Sequence, residues 1–517
     1  MILPVLTPDE SAAWDRRAEA EGIPLATLMD AAGRAVAEVL GVRFGDRLPN
    51  GVVVVAGPGN NGGDGWVVAR ALHRLGAPVF VAPVPGEGSA LNRQMATLAR
   101  REGVRVVEPD GPWPAVALGV DALLGTGAKG ALRGPVLSLV ERLTELALPV
   151  VAVDGPTGLD LANGTTHGPV ISAALTVTFG GLRRGHLLAR DECGEVVVVD
   201  IGHPAPDPAW PTFWSDLDCA RLQERFGSRD HKGTRGHVVV IGGDTGMSGA
   251  LRLSSRAAFA AGAGLVHAVG PPDTIDALIT AEPDLQTLRH GFEAPLSPAL
   301  LALIERGDTL VIGPGLGRAP SRLEFVSAVM ERGRSVVLDA DALNAFAGDS
   351  SRLRALAQGR RVILTPHPGE FRRLFPQHSD GAEYDPWTAA ARAAADSGCT
   401  VLLKGVPTVI APPVGTLLTT AAGNPGLATG GSGDVLSGLI GTLLVQIEHP
   451  ASAAAVGAEA LGRAADLAAR RVTVRGLRPM DVIAALPDVW RAWEAMRRVR
   501  PAVRPPLQLE LEAPQRW

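Results

Sequence analysis

Residues 428–438, ATGGSGDVLSG, place three glycines and a serine just ahead of an apolar helical pattern that begins near Asp434. Backbone amides in such a loop can hold the charge that develops on a transferring phosphoryl group. Asp434 then stands where a carboxylate can take the proton of an attacking hydroxyl. The plain alternative is a flexible turn with an Asp cap. No GxxxxGK[ST] loop occurs anywhere in the chain, which excludes a P-loop enzyme on pattern. Six further segments recur at the ends of apolar runs: HKGTRG (231–236), IGGDTGMSGA (241–250), GPGLG (313–317), DADALN (339–344), TPHPGEF (365–371) and KGVPTVI (404–410). Together they can line a nucleotide-sized cleft. His367, held between two prolines, is a candidate substrate contact, although a lone histidine is more often structural. Lys404 ends a strand and can meet a nucleotide phosphate.

A second set of polar loops lies nearer the N-terminus. After the run VVVVA (52–56) comes GPGNNGGDG (57–65), in which Gly57, Gly59 and Gly62 satisfy GxGxxG and a helix is expected to follow. The acidic residue that would grip a ribose about 20 positions later is missing from VFVAPVPG, which argues against ordinary NAD binding. Asn60, Asn61 and Asp64 instead equip the loop to hold phosphate or a polar ring, the alternative being a tight turn with an Asp cap. GTGAKGA (125–131) and DGPTGLD (154–160) also follow apolar runs and should share the same carboxyl edge of a sheet. Lys129 and Asp154 offer the ammonium and carboxylate that proton transfer at carbon requires, unless Asp154 only caps a turn before Pro156. Asn61, Asp121 and Thr157 could supply oxygen ligands to a hard cation.

The basic residues sharpen this picture. Lysine and arginine total 49, yet lysine occurs only at Lys129, Lys232 and Lys404, each followed by glycine. A lysine kept in so arginine-rich a chain suggests a site that needs a compact ammonium.

The elements that must position these residues are legible as alternation. VVVVA (52–56), VFVAPV (79–84), VDALLG (120–125), VVAVDG (150–155), LTVTFG (175–180) and VVVVDIG (196–202) read as buried parallel strands. Amphipathic segments such as 65–75 and 135–146 lie between them, giving a Rossmann-like doubly wound α/β domain. The proline-rich HPAPDPAWP (203–211) ends the series, and a second α/β series starts at HVVVIGG (237–243). Helical patterns follow at 434–444, 452–469 and 479–496. The expected division is 1–215, 216–497 and a frayed Pro/Arg-rich tail, 498–517. A hydrophobic fraction of 46% suffices for two cores, and a formal net charge of -5 without charge runs gives no nucleic-acid patch. Cys193, Cys219 and Cys399 form no CxxC pair, and neither a signal peptide nor an 18-residue apolar span is present. The expectation is a cytoplasmic protein that acts on small molecules, without nucleic-acid or membrane partners.

NNGGDG, DALLGTGAKG and VDGPTG, in this order, resemble the NAD(P)H-hydrate epimerase family over about residues 5–210. The resemblance implies that Asn60, Asn61, Gly62, Gly63 and Asp64, the loop Gly125, Thr126, Gly127, Ala128, Lys129, Gly130 and Ala131, and Asp154 contact a hydrated nicotinamide nucleotide. It implies Lys129 and Asp154 as acid/base residues and potassium at Asn61, Asp121 and Thr157, where threonine replaces the serine of the family's usual VDxPSG. The later segments resemble the ADP-dependent NAD(P)H-hydrate dehydratase family, a branch of the ribokinase-like α/β fold, over about residues 220–495. That likeness implies Lys404, Gly405, Val406, Pro407, Thr408 and Gly433 as the ADP site, with Ala250, Gly315, His367 and catalytic Asp434 facing the hydrate.

Combined, the resemblance is to bifunctional NAD(P)H-hydrate repair enzymes. It implies epimerisation of the R and S hydrates and ADP-dependent dehydration of the S hydrate to NAD(P)H, AMP and phosphate. Magnesium is expected from phosphoryl transfer, and a homo-oligomer is expected. The alternative is an ATP-dependent vitamin or sugar kinase carrying a non-catalytic N-terminal nucleotide-binding module.

Overall fold

The computed structural model describes residues 3–498 and 507–514. The chain forms two compact units that divide between Phe213 and Trp214. In the first, the strand order across the sheet is Leu507–Leu511, Glu195–Val199, Leu175–Phe179, Val150–Val153, Leu118–Ala122, Val52–Ala56, Val79–Pro83 and Arg105–Val106. All neighbours are parallel except the first pair. The order reverses between Val52–Ala56 and Leu118–Ala122, so the loops leaving these two strands part and open a crevice at the carboxyl edge. Helices Leu25–Arg43 and Asn60–Arg74 pack their apolar stripes on one face. Leu139, Val140 and Leu143 of helix Gly134–Glu145 cover the other.

Two expectations are corrected here. Helix Asn60–Arg74 starts five residues before the amphipathic pattern, so Asn60 to Asp64 occupy its opening turns and not a loop. Their glycines hide the helical period from a sequence reading. The tail expected to be frayed holds a strand at 507–511, while residues 499–506 and 515–517 lie outside the described residues. Leu507–Leu511 adds an antiparallel strand to Glu195–Val199, burying Leu511, while Arg43 reaches Glu195 and Glu510 at 2.7 Å each. An alternating LQLEL beside an open sheet edge satisfies backbone groups that would otherwise face water.

The second unit's sheet runs Gln286–Arg289, Leu265–Gly270, His237–Ile241, Thr309–Ile312, Ser335–Leu338, Arg361–Leu364 and Thr400–Leu403, all parallel, and closes with antiparallel Thr408–Ala411 and Leu418–Thr420. Its order reverses between His237–Ile241 and Thr309–Ile312. Helices Ser248–Ala260 and Ser432–Gln446 lie against each other over this sheet. Their backbones approach so closely that a Cβ at Gly438 would overlap the Ser254 carbonyl. That contact fixes the start of helix Ser432–Gln446, and with it Asp434, relative to the strands. Helices Pro450–Gly476 and Pro479–Arg498 complete the core. Among the described residues, no helix is long and apolar enough to cross a membrane, and all three cysteines are free and buried.

Candidate active sites

At the first crevice the chain turns tightly because glycine permits it. A Cβ at Gly57 would overlap the Leu123 carbonyl, and one at Gly62 the Gly57 carbonyl. Asn92 Nδ2 donates to the carbonyl oxygens of Gly57 (2.9 Å) and Gly59 (2.8 Å), and Ser89 donates to Asn60 Oδ1 at 3.0 Å. Asn61 is different: it is only 8% exposed, and neither atom of its amide has a hydrogen-bond partner. Such an orphan usually marks a missing ligand, because leaving a buried amide unpaired costs about 1–3 kcal/mol. Asn61 lies beside Gly125, whose Cβ position is 3.4 Å from Asn61 Oδ1.

Fully buried Asp121 sits at the base of the same loop and accepts from the backbone of Leu123 (3.1 Å), the backbone of Thr157 (2.7 Å) and Thr157 Oγ1 (2.8 Å). Burial pushes its carboxyl up to about 6 against the pull of these bonds. A buried carboxylate, a hydroxyl and an orphaned amide oxygen around residues 121–125 are hard donors that fit a cation of the potassium type.

Asp154 adopts φ +64°, a left-handed conformation that aspartate tolerates better than most residues. Its Oδ1 receives Thr178 Oγ1 (3.0 Å) and Arg183 (3.3 Å), and its Oδ2 receives the Thr126 amide (3.3 Å). That last bond ties the loop 125–131 to Asp154. The Arg183 amide donates to His186 Nδ1 at 3.0 Å, so the imidazole proton resides on Nε2, which donates to the Asp154 carbonyl at 2.7 Å. Burial holds His186 down to about 4 and therefore neutral. Enclosure, with the charge of Asp154 next in weight, pushes Asp64 well above the usual carboxylate range. Lys129 is exposed and lines a cleft with Arg133, Asp160 and His167. Among the described residues, no hydrogen bond or ion pair joins it to Asp154.

In the second unit, Gly431 (φ +98°) turns the chain into helix Ser432–Gln446, placing Asp434 in the first turn. Lys404 Nζ donates to Asp339 Oδ1 at 3.0 Å and lies 3.9 Å from Glu370 Oε2. The Cβ position of Gly433 is 3.3 Å from that ammonium and 3.7 Å from Asp339 Oδ2. The loop, the lysine and the acids thus converge. Burial, reinforced by Asp339, Asp341 and Glu370 and opposed by Lys404, pushes Asp434 up to about 7. Burial works against the charge of Lys404, but Asp339, Glu370 and Asp434 hold its pKa above the ordinary lysine value.

Ala250 and Gly315 flank the second crevice, with 3.1 Å between the Ala250 Cβ and the Cβ position of Gly315. His367 caps helix Pro368–Leu374, its Nδ1 accepting from Gly369 at 3.0 Å while its amide donates to Glu370 at 2.9 Å. Half of that side chain remains exposed. Gly405, Val406 and Pro407 form a turn through a cis Val406–Pro407 bond, with Val406 exposed, and Thr408 Oγ1 donates to the Gly405 carbonyl at 3.2 Å.

Sequence reasoning singled out neither Asp339 nor Glu370. The available signal was an acid directly after a buried apolar run, as Asp339 follows Ser335–Leu338. Arg183 and His186 behind Asp154 carried no signal, since nothing local links them to residues some 30 positions away.

Comparison with known proteins finds a family match in each of the two units. Residues 238–488 match the family described as NAD(P)H-hydrate dehydratase, and residues 25–185 match the YjeF-related protein N-terminus. A bifunctional NAD(P)H-hydrate repair enzyme of Moorella thermoacetica is 35% identical over 95% of this chain and 97% of its own length. One of Escherichia coli is 37% identical over 91% and 92%. A crystal structure of an ADP/ATP-dependent NAD(P)H-hydrate dehydratase from Bacillus subtilis, co-crystallised with ATP/Mg2+, is 28% identical, covering 55% of this chain and 98% of that one with a TM-score of 0.48. With two family matches in sequence and full-length relatives at this identity, the chain belongs to the family of bifunctional NAD(P)H-hydrate repair enzymes.

Proposed function

We propose that the first unit interconverts the R and S hydrates of NADH and NADPH, and that the second uses ADP to dehydrate the S hydrate. The observation that carries this reading is Asp434: a carboxyl at the opening turn of a helix, behind a glycine-rich loop, raised to about 7, next in the chain to Gly433, whose Cβ position lies 3.3 Å from Lys404 Nζ and 3.7 Å from Asp339 Oδ2. A base titrating there can accept the proton of the C6 hydroxyl near neutral pH. The C6 oxygen then attacks the β-phosphorus of ADP, AMP leaves, and the loop amides with Lys404 hold the charge. The ring nitrogen's lone pair expels phosphate from C6, and loss of a C5 proton restores the C5=C6 bond of NAD(P)H. Phosphate leaves far more readily than hydroxide, which is why a nucleotide is consumed.

In the first unit, Asp154 and Lys129 serve as the acid/base pair. Lys129 must then move from its exposed position when substrate enters the cleft. Asn61, Asp121 and Thr157 would hold potassium, which supplies fixed positive charge near the substrate. Potassium is accordingly expected to stabilise the first unit over choline by about 2.7 kcal/mol at about 100 times Kd, seen as a higher melting temperature in a calorimetric scan, and Asn61→Leu to abolish the rise. No trio of His, Cys, Asp or Glu among the described residues forms a metal cage, so magnesium is expected to enter with the phosphates of ADP. Three free cysteines suit a reducing cytoplasm, and a homo-oligomer is the assembly expected.

The test is racemic NADH hydrate with ADP, following NADH absorbance and the nucleotide. Complete recovery with AMP release supports both activities. Recovery that stops near half removes the epimerase, and no recovery with ADP but a stable ester with ATP would restore the kinase alternative.

A further inference from the structure

The buried acid beside Lys404 has no role in the reaction just described, yet its geometry gives it one. Asp339 is 1% exposed and follows the strand Ser335–Leu338 at the carboxyl edge of the sheet. One oxygen of its carboxylate, Oδ1, accepts from Thr365 Oγ1 at 2.8 Å and from Lys404 Nζ at 3.0 Å. Its Oδ2 faces the glycine-rich loop, 3.7 Å from the Cβ position of Gly433. A charge buried this deeply persists only when paired and hydrogen-bonded, and both partners here are directed at one end of the carboxylate. The ammonium is thereby fixed 3.3 Å from the Gly433 Cβ position, on the rim of the loop whose amides open helix Ser432–Gln446.

We propose that Asp339 is a positioning residue for phosphoryl transfer: anchored by Thr365, it aims the Lys404 ammonium at the phosphoryl group leaving ADP. The inference rests on the ADP-dependent reading of this site. It names what aims Lys404 at the reacting phosphoryl group, and it accounts for a lysine at this position in a chain that mostly uses arginine, since a compact ammonium suits the gap between Asp339 and Gly433 better than a planar guanidinium. Asp434 is faced by Asp339, by Asp341 on helix Asp341–Ala345, by Glu370 on helix Pro368–Leu374, and by Lys404 after strand Thr400–Leu403. Lys404 is the cation of this set, so its placement also decides whether Asp434 can act as a base near neutrality.

Asp339→Asn keeps the size of the side chain and an acceptor for Thr365 but removes the charge. It is expected to lower kcat for AMP release by about 10²-fold, with KM for ADP changed by less than about threefold. Because one of the acids that raises Asp434 is gone, the acid limb of the pH–rate profile should move to lower pH. Thr365→Val leaves every charge in place and should lower kcat by only about threefold to tenfold, with the limb unmoved. Asp339→Asn combined with Lys404→Met should be no worse than Lys404→Met alone, within about threefold, because both changes remove one function. Unchanged kcat in Asp339→Asn, a rise in KM alone, or losses that multiply in the double variant would each overturn the inference while leaving the dehydratase reading intact. Recovery of NADH by the unmodified enzyme without AMP release would overturn that reading and the inference with it.

Discussion

Asp434→Asn is expected to lower ADP-dependent recovery of NADH by about 10²- to 10⁴-fold, the span that a positioned general base contributes. Asparagine has nearly the same shape and can keep the helix start, so ADP affinity measured by calorimetry should change by less than about threefold. The native enzyme should also lose kcat/KM on the acid side of about pH 7, because burial, then Asp339, raise Asp434 to about that value. The sign follows from the role: the ionised carboxylate is the active form, so rate falls about tenfold for each pH unit below its pKa. In Asp434→Asn the residual rate should show no such limb. Near-native turnover in this variant would mean that another group takes the hydroxyl proton, and Glu370 would be the next carboxylate to examine.

How much of this was legible depended on whether the information was local. VVVVA at 52–56 and LTVTF at 175–179 lie in parallel sheets covered on both faces, so they read as unbroken apolar runs and become the strands Val52–Ala56 and Leu175–Phe179. The polar loops were legible because residues directly after such strands must lie at the carboxyl edge. The start of helix Asn60–Arg74 was not, because Gly62, Gly63 and Gly65 are present for close approach to Gly57, Met29 and Ala122 and erase the helical pattern. Nor was the pairing of Lys404 with Asp339, which joins residues 65 positions apart across the ends of two strands separated by a third. Sequence placed Lys404 at a strand end; only the fold shows what holds it. The strand Leu507–Leu511 follows a segment rich in Pro and Arg, a composition that masks the edge it completes.

The second large effect is expected at Asp154. Asp154→Asn suits a left-handed position, because asparagine tolerates φ near +64° as well as aspartate does. It can still accept from Thr178 or the Thr126 amide, but it no longer neutralises Arg183, whose side chain is 4% exposed. Breaking a buried pair from one side costs about 3–5 kcal/mol, and the retained hydrogen bonds should hold the loss near the lower figure. Denaturant unfolding of the first unit measures it.

The functional consequence is separable from that loss. Interconversion of the two hydrates should fall by about 10²- to 10⁴-fold, while dehydration of the pure S hydrate is untouched. With excess ADP, NADH recovery from the racemate should therefore stop near half and creep upward only at the spontaneous rate of epimerisation. Thr178→Val is the control: it removes one hydrogen bond to the same oxygen, should cost about 1 kcal/mol, and keeps the charge. Its racemate should still go to completion. If folded Asp154→Asn also brings the racemate to completion, the carboxylate serves only to seat Arg183 and the loop 125–131, and the proton traffic must pass through Asp64, the neighbouring acid that Asp154 and enclosure already favour in its protonated form.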